Sequence, residues 1–166
     1  MAESSRLAEL ESGSAAGSLT FRRADYDKDI EWLLGLDGRN ENTGLIGQQD
    51  RTSHRAQIMD DPDVIYFVVE TADDKTREEP RCAYCIIRGL VDPMRIIYLQ
   101  RICVDLDRHR NTGVGMGLLL WIIHFAFESL SAHRLYLNCV DFNDRGKHVY
   151  EKAGVRTTLQ TLVATT

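Results

Sequence analysis

With 166 residues, 43% hydrophobic and 27% charged, the chain has the make-up of one globular domain long enough to enclose a core. Only 3 Pro, 12 Gly and 4 Cys exclude a collagen-like, low-complexity or disulfide-scaffold protein. Twenty Lys and Arg against 25 Asp and Glu leave a net charge of −5, which excludes a domain-wide basic face for nucleic acid, so any bound anion needs a local pocket.

Residues 1–18, rich in Ser, Ala, Gly and Glu, read as a flexible leader, and residues 19–166 as a single domain that is short at its C-terminal end. The leader has neither a basic start nor an apolar run, so a secretory signal is not expected and the location reads as cytoplasmic. Residues 19–23 fit a short strand. Asp25 suits a helix N-cap, and Ile30, Leu33, Leu34 and Asp37 follow at helical spacing, with Gly35 and Gly38 ending the run early. Residues 38–50 form a polar, Gly-containing connection. A second short helix over 51–59 is closed by Asp60-Asp61-Pro62-Asp63.

The period then changes. Residues 64–71 (VIYFVVET), 82–90 (CAYCIIRGL) and 95–104 (RIIYLQRICV) are β-branched and aromatic, and their short connections, one of them the charged turn 72–81, predict an antiparallel meander. Residues 106–113 read as a polar loop. A helix over 115–130, apolar nearly all round, reads as buried against a sheet, and its region is too short to cross a bilayer. A strand over 135–140 and a helix over 143–153, stopped by Gly154, complete a βαβ crossover. The class is α+β, a mixed, mostly antiparallel central sheet flanked by helices.

Cys82, Cys85, Cys103 and Cys139 lie in or beside apolar runs and read as reduced core thiols. The CxxC spacing of Cys82 and Cys85 lacks a second ligand pair, so no metal is expected.

The segment 104–120 (VDLDRHRNTGVGMGLLL) carries the chemistry. A strand ends, three basic side chains follow, glycines free the backbone, and a helix opens whose first N–H groups lack intrahelical partners. That is a cradle for a phosphate. Neither the dinucleotide fingerprint GxGxxG nor the nucleotide loop GxxxxGK[ST] is present. Arg110-x-x-Gly113-x-Gly115 instead resembles the (Gln/Arg)-x-x-Gly-x-(Gly/Ala) loop of the GNAT superfamily of acyl-CoA N-acyltransferases. Downstream, Asn143, Gly146, Tyr150-Glu151-Lys152 and Gly154-Val155 resemble the closing half of the same core, in the same order. The resemblance covers residues 19–155.

The resemblance implies the GNAT fold and an acetyl-CoA-dependent N-acetyltransferase acting on a primary amine of a small molecule or a protein. Backbone groups of Ile102, Cys103 and Val104 would bond the pantetheine arm. The N–H groups of Arg110, Asn111, Thr112, Gly113, Val114, Gly115 and Met116 would wrap the pyrophosphate. Asn143 would bond the arm, and Tyr150 would sit beside the thioester sulfur as general acid. As alternatives, Tyr150 is a half-buried helix aromatic wetted at its hydroxyl, and Asn143 is a helix cap, a role that can coexist with the first.

Two departures from the pattern matter. Relatives often carry a carboxylate on the strand before the loop or the strand after its helix; here those places read Tyr98 and Asn138, and neither titrates usefully at neutral pH. The acceptor is then a low-pKa amine, or a water chain leads to a remote Asp or Glu, or catalysis is feeble. Secondly, the twelve residues after Gly154 make one good strand, at most a cramped hairpin, where relatives usually have two strands. The acceptor side is then open, truncated, or completed by a second copy in a homodimer. The rival function is a non-catalytic acyl-CoA-binding or regulatory module of the same fold. No nucleic-acid or membrane partner is expected.

Overall fold

The computed structural model describes residues 19–39, 44–71, 79–158 and 161–164; the leader, residues 40–43 of the polar connection and 72–78 of the charged turn lie outside the described residues. One seven-stranded sheet runs in the order β1-β2-β3-β4-β5-β7-β6. Its strands are β1 (Leu19–Arg23), β2 (Val64–Thr71), β3 (Arg81–Arg88), β4 (Ile96–Val104), β5 (Arg134–Leu137), β6 (Arg156–Thr158) and β7 (Thr161–Ala164). The helices are α1 (Tyr26–Asp37), α2 (Arg51–Met59), α3 (Leu106–His109), α4 (Val114–His124) and α5 (Asp144–Lys152).

β1 to β4 form the antiparallel meander, and β4 pairs with β5 in parallel through the α4 crossover. The C-terminal residues take the hairpin alternative. β7 pairs antiparallel with both β5 and β6, so β5 is an interior strand.

The sheet buries both faces. On one, Trp121 of α4 stacks on Phe21 at 4.3 Å and on Phe125 at 5.0 Å, with Phe67 edge-on to Trp121 at 4.8 Å. Leu118, Leu119 and Ile122 are fully buried in the same core. On the other, Leu33 and Leu36 of α1 pack on Tyr66, Val68, Tyr84 and Ile86. Two-sided burial explains why β2 and β3 read as continuous apolar runs.

Three element assignments need correction. Residues 106–113 are not all loop: α3 forms one turn, closed by the His109 N–H bonding the Asp105 carbonyl at 2.8 Å. The helix expected over 115–130 is α-helical only to His124, and Phe125–Ser129 continue as a π turn. α1 runs through Gly35 and stops at Gly38, whose N–H bonds the Leu34 carbonyl.

Candidate active site

The site begins with a fork in the sheet. β4 and β5 pair only from Ile96↔Arg134 to Leu99↔Leu137, while β4 continues to Val104. Among the described residues, β4 therefore has no strand partner on its β5 side over residues 100–104. Its backbone polar groups there need another partner.

A β-bulge sets which side chains face the fork. Along β3 and β4, Ile86 pairs with Arg101 and Ile87 with Leu99, so Gln100 is the extra residue. Before the bulge, Ile97 and Leu99 join the α4-side core. After it, Cys103 joins the α1-side core, and Ile102 and Val104 pack on the α4 side.

Beyond β4, Asn111 has φ 59 and Gly113 φ 88, the left-handed conformation that turns the chain into α4. The first intrahelical bond is from the Gly117 N–H to the Gly113 carbonyl at 2.9 Å. The N–H groups of Val114, Gly115 and Met116 thus precede it and stand at the positive end of the helix. A Cβ on Gly113 would meet nothing within 4 Å, so its conformation, not crowding, calls for glycine.

α5 supplies the opposite wall. Asn143 caps it, its Oδ1 accepting the Gly146 N–H at 2.8 Å, which leaves the Nδ2 donors without a partner among the described residues. A Cβ on Gly146 would lie 2.6 Å from Asn143 Nδ2, so the small residue there is required by the cap. One helical turn on, Tyr150 is 7% exposed, and its hydroxyl has no hydrogen-bond partner among the described residues. Burial, with a smaller contribution from nearby Cys139, pushes its pKa well above the usual phenol value.

These elements enclose a cleft of about 600 Å³. Ile102, Cys103, Val104, Gly115, Asn143 and Tyr150 all line it; Arg110 to Val114 and Met116 form the loop beyond its wall. Tyr98 and Asn138 line it as well, and Asn138 Nδ2 donates to Tyr98 Oη at 2.9 Å across the fork. The polar connection 38–50, which falls where the resemblance places an acceptor-facing loop, contributes Leu45–Gly47 to the lining, and Phe142 and Arg101, which no motif marks, line the cleft as well. Arg101 was signalled by a cation inside an apolar strand, and its partner Asp37 by a carboxylate on the apolar stripe of α1.

Residues 36–155 match the acetyltransferase (GNAT) family. The chain belongs to that family. Its reaction is acetyl-CoA-dependent acetyl transfer to an amine. Among solved structures, a chimaeric spermidine N-acetyltransferase built from Vibrio cholerae SpeG and hSSAT superposes with TM-score 0.72 at 17% identity, covering 89% of this chain and 93% of that one. The Vibrio cholerae spermidine N-acetyltransferase in complex with CoA and spermine gives TM-score 0.70 at 17% identity, covering 88% and 92%. A dodecameric structure of the Vibrio cholerae enzyme gives 0.67 at 17% identity, covering 88% and 90%. At these identities the likeness is one of fold. No curated protein matches the chain in sequence. Among the described residues, no group of three His, Cys, Asp or Glu is placed to hold a metal, and no helix is long and apolar enough to cross a membrane.

Proposed function

We propose that this acetyltransferase takes the pantetheine arm of acetyl-CoA into the fork between β4 and β5 and acts on a primary amine of low pKa, an α-amine or another weakly basic amine. The observation that carries the coenzyme reading is the unpaired β4 edge ending at the open N-terminus of α4. A linear arm with two amides replaces a strand there. Backbone groups of Ile102, Cys103 and Val104 bond the arm, the N–H groups from Arg110 to Met116 hold the pyrophosphate, and Asn143 donates through Nδ2.

The coenzyme supplies an acetyl group activated as a thioester. Tyr150 donates a hydrogen bond toward its sulfur as negative charge grows there. The raised pKa keeps the phenol proton in place. A thiol, with a pKa of about 8.5, is the stronger acid, so Tyr150 steadies the sulfur and the proton it finally takes comes from the attacking amine.

Acceptor class follows from deprotonation cost. At pH 7 a lysine-type amine costs roughly 4–5 kcal/mol to neutralise, an α-amine only about 1. Tyr98 and Asn138 at the fork vertex offer hydrogen bonds and no base, which favours the second. Calorimetry with acetyl-CoA, and CoA release with a panel of α-amine peptides, ε-amine peptides and spermidine, test the proposal. Binding with turnover fastest on α-amines is expected. A strong ε-amine or spermidine preference overturns the acceptor assignment, and binding without turnover across the panel favours the non-catalytic module instead.

A further inference from the structure

The cleft opens on both faces of the sheet. Gly115 and the start of α5 border it on the α4 side, where the coenzyme loop lies. Leu45, Ile46 and Gly47 border it on the other side, where Ile46 packs on the α1-side core. An acceptor approaching a thioester held in the fork therefore passes Leu45–Gly47. Arg101 reaches that wall from β4. The bulge at Gln100 turns its side chain to the α1 side, where it is only 6% exposed. Its Nη2 donates to the Gly47 carbonyl, and its Nη1 donates to Asp37 Oδ2 and, at 3.1 Å, to Tyr84 Oη.

Asp37 is anchored in turn. Its Oδ1 accepts from the Tyr84 hydroxyl, and its Oδ2 lies 3.3 Å from Nε2 of fully buried His54. His54 Nδ1 is 3.1 Å from Tyr66 Oη, which donates to Gln57 Oε1 at 2.6 Å. The network thus ties α1, α2, β2, β3 and β4 together, and Gly47 is where it reaches the cleft wall.

We propose that Arg101, held by Asp37, is the positioning residue for the acceptor: it clamps the Gly47 carbonyl and so sets Leu45–Gly47 as the acceptor-side wall. This rests on the reading of the cleft given above. The planar guanidinium reaches Asp37 and Gly47 with separate nitrogens, whereas a lysine ammonium is a single point. Arg101→Lys therefore keeps the Asp37 pair and releases Gly47.

The test uses the full chain. In Arg101→Lys, KM for the best amine of the panel is expected to rise at least tenfold, with acetyl-CoA affinity within twofold of the parent. Hydrogen exchange should quicken at residues 44–50 and not in β4 or α4. A second variant, Asp37→Leu with Arg101→Met, replaces the buried pair by apolar groups and removes the clamp without leaving a lone charge; it should show the same selective rise. An amine KM within twofold of the parent in either folded variant, or a parallel loss of acetyl-CoA affinity, overturns the assignment. Failure of the parent itself to bind acetyl-CoA or release CoA would instead overturn the underlying reading.

Discussion

Gly146→Ala separates the structural and the ligand-binding duties of Asn143. The new Cβ would sit 2.6 Å from Asn143 Nδ2 and 2.8 Å from its Cγ, so the carboxamide must swing away and the cap bond to the Gly146 N–H is lost. Losing an Asn cap costs about 1 kcal/mol. Replacing glycine by alanine in a helix returns about 0.5–1 kcal/mol. The two nearly cancel, and since 1 kcal/mol moves the melting point of a domain this size by roughly 2–4 °C, the thermal shift should stay within about 4 °C. Acetyl-CoA affinity has no such offset. One neutral hydrogen bond lost is worth about 0.5–1.5 kcal/mol, or roughly 2- to 13-fold in Kd. Asn143→Ala should lose the same affinity and also about 1 kcal/mol of stability, because it gains nothing from glycine replacement. Calorimetry and thermal melts on both variants supply the comparison. Parent-like affinity in both would show that Asn143 does not touch the coenzyme, and a loss of 2 kcal/mol or more in Gly146→Ala would refute the cancellation.

Three further outcomes are expected. Tyr150→Phe should lower kcat by roughly 10- to 150-fold, the worth of a hydrogen bond to a charged group, while sparing acetyl-CoA affinity; equal losses in both would contradict its place at the sulfur. Gly113→Val forces a branched residue to φ 88, so it should melt earlier and bind acetyl-CoA more weakly, and unchanged coenzyme affinity would refute the cradle. Asp29 contributes to the acid limb of stability. Burial raises its pKa, but hydrogen bonds from Arg22 and the Asp25 N–H, with Arg81 beside it, outweigh burial and hold it below the usual carboxylate value. A carboxyl depressed on folding contributes in full above its unfolded value of about 3.9 and loses that contribution as pH falls through its folded value. Asp29→Asn should therefore flatten the fall in denaturant midpoint below about pH 5 while lowering it at pH 7; an unchanged acid slope would refute this role.

Local chemistry explains what the sequence shows and what it hides. Asp25 and Asp50 cap α1 and α2 through contacts three residues away, so both helices are visible as motifs, as is the glycine-rich turn into α4. The bulge at Gln100 is not. Inside and outside alternate without a break from Ile96 to Val104, yet Leu99 packs on the α4 side and Cys103 on the α1 side. Only the partner strand reveals the extra residue, because Ile86 and Ile87 are adjacent and their partners Arg101 and Leu99 are not. Without that shift Arg101, two residues past Leu99, would point into the apolar cluster on the α4 side. The bulge is what lets a cation in mid-strand meet Asp37, 64 positions away. The face chosen by one unpaired residue thus decides both the ligand side of β4 and the anchor of the wall opposite, and pairing between distant segments, which no local pattern encodes, is what makes that choice.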